Sequence, residues 1–346
     1  DGSYTPCEST IPGDPVYGEG LYNQSKIDVN EDGTYDEYSE DCGDLPQLHH
    51  EKNLLSVDQT GPYTYQVKYE IAVTNSGGAI GTYTLEDEPG FENDIIILSS
   101  SYSSTAPLNA GGVLGSTGPW TLANDQTIAI GVIHNYVLTV NVKMDLGNPP
   151  AGGDGIYNAC ESAIPGDPDF GEGLYNQSKL DYNDDGIWDE YSEACGDLPY
   201  VTHEKHIDQI VQTGARAWNV YYHILVSNLG GATGQYNLSD QPNFDNDIVI
   251  GNGNYTSTAP GVAGASLFGN GPWTLGSDVL INKGAIHDYN IVLGVTMNLT
   301  DPASPGDEYY TACETNYQGD PIPGEGLYNQ SSLDINDDGN YDEQDE

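Results

Sequence analysis

The feature that most constrains this chain is an internal repeat with an offset of 153 residues, because self-similarity at a fixed period implies a unit built to be used in tandem. Residues 4–47 recur at 157–200 with 32 of 44 positions identical. The offset then holds without a gap: Asn75-Ser-Gly-Gly aligns with Asn228-Leu-Gly-Gly, Gly118-Pro-Trp-Thr-Leu with Gly271-Pro-Trp-Thr-Leu, and His134 with His287. A third copy opens at Asp307 and runs to Glu346. Two kinds of segment alternate. Residues 1–47 carry 12 acids and one lysine, whereas 48–146 carry 10 acids and three lysines and hold most of the aromatic and β-branched residues. The expected division is therefore 1–47 acidic connector, 48–153 packing domain, 154–200 connector, 201–306 packing domain and 307–346 third connector.

With 54 acidic and 8 basic side chains the net charge is -46, which excludes a nucleic-acid partner: phosphate binding needs a basic footprint that Arg216 and seven lysines do not make. The longest purely aliphatic run, 95–98, is far short of the roughly 20 residues of a membrane span, so none is expected. Charge alone would favour disorder, but each long block has enough apolar residues for one core.

Residues 63–73 alternate apolar and polar with period two, and Asn75-Ser-Gly-Gly supplies a turn. Further strands are expected at 81–86, 95–101, 126–133 and 136–144, with Pro107, Pro119 and Gly111-Gly112 in loops. About seven short strands without a helical pattern predict an all-β fold of tandem immunoglobulin-like sandwiches, alternating with loop-rich, disulfide-closed, calcium-binding connectors. The run YEIAVTNSGGAIGTYTLEDEPGF, with GPWTLA and HNYVLTVNV, resembles the tandem extracellular β-sandwich repeats of bacterial and archaeal surface proteins. That resemblance implies a stalk, surface layer or fibre and brings no catalytic residues.

Cys7 and Cys42 recur as Cys160 and Cys195, and Cys313 has no later partner in the chain. Zinc would call for closely spaced Cys/His sets that are not beside them, so the spacing predicts two disulfides, each contributing roughly 3 kcal/mol by loop-closure entropy. For Cys313 the expectation is a continuing chain or a neighbouring one. Three segments share a further grammar: Asp28, Asn30, Asp32, Gly33, Thr34, Asp36; Asp181, Asn183, Asp185, Gly186, Ile187, Asp189; and Asp334, Asn336, Asp338, Gly339, Asn340, Asp342. Oxygen ligands at positions 1, 3, 5 and 9, glycine at 6 and a backbone carbonyl at 7 are what a Ca2+ loop requires. These loops resemble those of dockerins and thrombospondin type 3 repeats, with Ser39 and Ser192 where an EF-hand has its last glutamate. Glu37, Glu40, Glu190 and Glu193, or Glu19 and Glu172, are candidates to complete the shell.

N-glycosylation acceptor patterns occur at Asn23, Asn176 and Asn329 in one register, and at Asn237, Asn254 and Asn298 in the second repeat. No nucleophile, phosphate-loop or metalloprotease signature appears; His50/His203 and His134/His287 are expected to be structural, and Trp120/Trp273 to be core or loop anchors. The sequence thus predicts a non-catalytic, extracellular, cell-surface repeat protein, a calcium-stabilised filament shaft that assembles with itself and carries glycans. A carbohydrate-binding adhesin stalk or a salt-adapted surface-layer protein are the alternatives.

Overall fold

The computed structural model describes residues 4–7, 17–160, 168–313 and 321–346, which leaves out most of the Pro/Gly-rich stretch after Cys7 and its counterparts after Cys160 and Cys313. The described residues form strands and turns, with no helix among them. They cluster into two compact units: 1–58, 65–143 and 160–196 in one, and 59–64, 144–159 and 197–346 in the other.

In the first unit, one sheet has five strands in the order Leu48–Gly61, Thr64–Asn75, Ile133–Met144, Ile95–Ser104, Gly111–Leu114. The second has four: Glu190–Ala194, Asn176–Asp181, Gly81–Pro89, Trp120–Ile128. Period-two alternation places Tyr65, Val67, Tyr69, Ile71 and Val73 from one strand and Tyr136, Leu138, Val140 and Val142 from another in the core. The expected strand at 126–133 is displaced to Trp120–Ile128, because the chain turns at Gly131, whose φ of 68° favours glycine. A separate two-stranded sheet pairs Asn23–Ile27 with Glu37–Asp41.

The second unit repeats this plan. Its five-stranded sheet runs Val201–Gly214, Ala217–Asn228, Ile286–Met297, Ile248–Ser257, Ala265–Leu267, and its four-stranded sheet Trp273–Ile281, Gly234–Pro242, Asn329–Asp334, Glu343–Asp345. Val220, Tyr222, Ile224, Ile291 and Leu293 of the first sheet pack with Tyr236, Leu238, Leu275 and Leu333 of the second in one core, so the unit is a β-sandwich. Asn228 clamps a turn: its side-chain amide donates to the carbonyls of Ala232 (2.8 Å) and Ile281 (3.1 Å) and accepts from the amide of Tyr200. Asn75 makes the corresponding bonds to Ala79, Ile128 and Gln47.

Sheet membership crosses the expected boundaries. The acidic hairpin 176–194 belongs to the four-stranded sheet of the sandwich that precedes it, and so does hairpin 329–345. The third acidic segment is held in the same way as the second. Leu333 is buried in the second sandwich, because strand Gly234–Pro242 has an edge for Asn329–Asp334 to pair with.

Candidate calcium loops and the hairpin seat

Each acidic segment forms a hairpin with a loop at its tip, and the two strands align as the repeat requires: Asn23 opposite Asp41 in hairpin 1, and Asn176 opposite Ala194 in hairpin 2. The loop closes on its own carboxylates. In the first, Gly33 N–H donates to Asp28 Oδ2 (2.9 Å), Asp32 N–H to Asn30 Oδ1 (3.0 Å), Thr34 N–H to Asp32 Oδ1 (2.8 Å) and Val29 N–H to Asp36 Oδ2 (2.8 Å). The second repeats this with Gly186 to Asp181 (3.1 Å), Asp185 to Asn183 (3.0 Å), Ile187 to Asp185 (2.8 Å) and Tyr182 to Asp189 (3.0 Å). The third does so with Gly339 to Asp334 (3.2 Å), Asp338 to Asn336 (3.3 Å), Asn340 to Asp338 (2.7 Å) and Ile335 to Asp342 (2.9 Å). Gly33, Gly186 and Gly339 have φ of 86°, 80° and 82°, the left-handed conformation the tight turn needs.

The loops fit an oxygen-coordinated cation. Asp28 Oδ1 and Asp334 Oδ1 are buried oxygens without a hydrogen-bond partner, and the remaining donor set is carboxylate, carboxamide and carbonyl. Hydrogen bonds from the Thr34 hydroxyl and amide hold the Asp32 carboxyl below its ordinary range, and the Asn340 amide does the same for Asp338. Burial pushes Asp342 upward. Among the described residues, the three aspartates of a loop do not bring their oxygens within 4.8 Å of one another.

Two of the glutamates expected to complete the shell, Glu190 and Glu40, are engaged elsewhere. Glu190 Oε2 accepts from the His50 amide (2.9 Å) and lies 3.0 Å from His50 Nδ1, and its Oε1 contacts His49. Glu40 accepts from the Tyr22 hydroxyl at 2.7 Å. Glu37 and Glu193 are exposed.

What the sequence did not show is the seat that receives the hairpin. In the first sandwich Lys52 forms a fully buried ion pair with Asp87, whose other oxygen accepts from Asn176 Nδ2 at 3.0 Å. His50 Nε2 lies 3.0 Å from Ser178 Oγ, and the Lys52 amide donates to Ser192 Oγ at 2.9 Å. The second sandwich has Lys205 paired with Asp240, Asn329 Nδ2 donating to Asp240 at 3.0 Å, and His203 Nε2 at 3.0 Å from Ser331 Oγ. Burial pushes Lys52 and Lys205 below their ordinary range and Asp87 above it, each opposed by attraction to its partner. A one-residue slip would leave these buried charges without the asparagine, so the polar seat fixes register.

The seat corrects two glycosylation expectations: Asn176 and Asn329 are buried and their amide nitrogens donate to Asp87 and Asp240, which leaves no room for a glycan. Asn237 and Asn298 also spend their amide nitrogens, on Asp337 and on the Asp301 carbonyl. Asn23 and Asn254 are exposed. The disulfides Cys7–Cys42 and Cys160–Cys195 are formed, and Cys313 is an exposed thiol. Gly20 is required beside the first, since a Cβ there would lie 2.5 Å from both Cys7 Sγ and the Gly43 carbonyl. Trp120 and Trp273, at 4% and 7% exposure, are core residues. His134 and His287 lie 2.8 Å and 2.7 Å from the buried hydroxyls of Tyr83 and Tyr236.

No known family profile and no curated protein matches the chain. Among solved structures, the full-length major pilin SpaD from Corynebacterium diphtheriae aligns over 84% of this chain and 56% of its own, at 13% identity and a TM-score of 0.25. The chain thus spans about half the length of that pilin. The collagen adhesin of S. aureus aligns over 84% of this chain and 86% of its own, at 8% identity and a TM-score of 0.18. Red sea bream transglutaminase aligns over 86% and 29%, at 10% identity and a TM-score of 0.20. Similarities of this size say nothing of what the chain does.

Proposed function

We propose that this is a non-catalytic structural protein of an extracellular, cell-surface filament, in which sandwiches are joined in series by hairpins that bind calcium. One observation carries the reading: the hairpins opening the second and third repeats are each hydrogen-bonded into the sandwich of the repeat before, in the same register both times, Asn176 opposite Pro89 and Asn329 opposite Pro242. Each of these acidic segments is thereby two strands of the sandwich before it. In the second repeat a disulfide adds a covalent closure of the same segment.

Calcium would be held by Asp28, Asn30, Asp32, the Thr34 carbonyl and Asp36, and by the equivalent sets 181–189 and 334–342. It would supply positive charge among carboxylates that otherwise repel at a net charge of -46. Self-association is the proposed partnership, and Asn23 and Asn254 are the positions for glycan. Electron microscopy of the native material tests the function. Fibres whose axial period corresponds to one 153-residue repeat are expected; a dispersed, compact protein in calcium-containing buffer overturns it.

A further inference from the structure

Within the second sandwich, His206 and His223 stand directly opposite each other on the neighbouring strands Val201–Gly214 and Ala217–Asn228. Asp208 is the extra residue of a β-bulge between Ile207 and Gln209, outside the ladder, a place where side chains are re-aimed. Three atoms converge there. His206 Nε2 lies 3.2 Å from His223 Nδ1 and 3.2 Å from Asp208 Oδ1, and His223 Nδ1 lies 4.0 Å from Asp208 Oδ1. The other ring nitrogen of His223, Nε2, is 2.8 Å from Asp288 Oδ1, close enough for an ion pair although not aligned as a hydrogen bond.

We propose that His206, His223 and Asp208 form a binding site for one borderline divalent transition ion of the zinc type, with Asp288 orienting His223. Bonds of about 2.0–2.1 Å in a tetrahedron place ligand atoms roughly 3.3–3.4 Å apart, so two edges of the triangle are already at that length and the third needs to shorten by about 0.6 Å. A carboxylate on the far nitrogen of a ligating histidine is the usual support for such a ring. Two imidazoles select against calcium, which takes oxygens, and half-exposed side chains leave the fourth position to water. The site is independent of the filament reading and distinct from the acidic loops. It is also confined to one repeat: the first carries Asn53, Leu55, Glu70 and Asn135 at the corresponding positions.

That difference supplies the test. The full chain, held in excess calcium to keep the loops occupied, is titrated with zinc against a chromophoric competitor, and cobalt(II) is used to report coordination by its visible absorption. One zinc per chain is expected. His206→Asn, which installs the residue the same strand of the first repeat already tolerates, and His223→Gln, which removes the imidazole without adding a carboxylate that could bind zinc in its place, should each weaken binding about 100-fold with an unchanged circular dichroism spectrum; Asp288→Asn should weaken it about 10–100-fold. Introducing Asn53→His, Leu55→Asp, Glu70→His and Asn135→Asp together should raise the count to two. Absence of zinc uptake by the unaltered chain, or uptake unchanged by His206→Asn and His223→Gln, overturns the site. A grafted chain that still takes up one ion shows that these four residues are not what makes it.

Discussion

Hairpins 1 and 2 begin with the same Asn-Gln-Ser-Lys and pair their strands in the same register, yet their surroundings are opposite. Ile27 is 55% exposed, whereas Leu180 and its third-copy counterpart Leu333 are at 0%. Lys179 reaches Glu86 and Glu88 of the sandwich, while Lys26 lies 5.7 Å from the rings of Tyr35 and Tyr38 in its own hairpin. Asn176 is bonded to a buried aspartate, and Asn23 is exposed. The local sequence therefore makes the hairpin, and the sandwich in front makes it part of a core. A two-stranded sheet alone is marginal in water, so the seat is where most of the stability of hairpins 2 and 3 resides.

The largest effect should come from breaking the seat's ion pair. Asp87→Ala or Asp240→Ala leaves a buried ammonium and an asparagine amide without their acceptor, and should cost about 3–5 kcal/mol in urea unfolding of the full chain. Asn23→Ala in hairpin 1 should cost less than about 0.5 kcal/mol. Similar losses at the two places would mean that hairpin 1 is covered in solution.

Apolar contacts give the next contrast. Leu180→Ala and Leu333→Ala should each destabilise by about 3 kcal/mol, through lost burial and the cavity left behind, and Ile27→Ala by less than about 0.5 kcal/mol. Amide exchange offers a readout without mutation: the amides of Asn176–Asp181 should exchange orders of magnitude more slowly than those of Asn23–Ile27. Equal protection in the two hairpins would contradict the difference in burial.

Calcium should sharpen the comparison. At 100 times its dissociation constant, an ion held only by the folded loop stabilises it by about 2.7 kcal/mol. Chelation should therefore abolish exchange protection in hairpin 1 while hairpins 2 and 3 stay in their sheets. Calorimetry should count three ions per chain, and two after Asp32→Ala or Asp185→Ala. A chain that takes up none would end the calcium proposal.

The repeat, the alternating strands, the sandwiches and the cysteine pairing were all legible in the sequence, because period-two patterns and duplicated spacings are local signals. The seat was not. Its hairpin strand Asn176–Asp181 has a single aliphatic residue, Leu180, and buries Asn176 and Ser178 as fully, so it reads as a polar linker. What holds these groups in the core is a set of partners distant in sequence: Asn176 meets Asp87 across 89 residues, and Ser178 meets His50 across 128. The same reason hid His206, Asp208 and His223, which cross-strand pairing and a bulge bring together over 17 residues. The glutamates after each loop were legible as conspicuous acids, but only the fold shows Glu190 turned to a histidine.

Acid should produce the smallest and most graded change, and its sign follows from the groups beneath the seat and in the cores. Burial holds His50, His134 and His287 below their ordinary pKa of about 6.5, so the folded chain keeps them neutral where the unfolded chain has begun to bind protons. A lowered histidine contributes stability that is complete above the unfolded value and declines as pH falls beneath it. Burial opposes ionisation of Glu190 and Glu343, but hydrogen bonds from the seat histidines outweigh it and leave both below the usual glutamate range. A lowered carboxyl contributes stability above about pH 4.3 and loses it as pH falls through the folded value. The unfolding midpoint should therefore be flat above about pH 7, fall gently between 6.5 and 4.5, and fall further below that as the seat glutamates protonate. His50→Gln, which keeps a polar side chain against Ser178 and Glu190 but cannot titrate, should remove part of the first decline. An unfolding midpoint in that variant with the same slope between pH 6.5 and 4.5 as the unaltered chain would show that the seat histidine does not set the response.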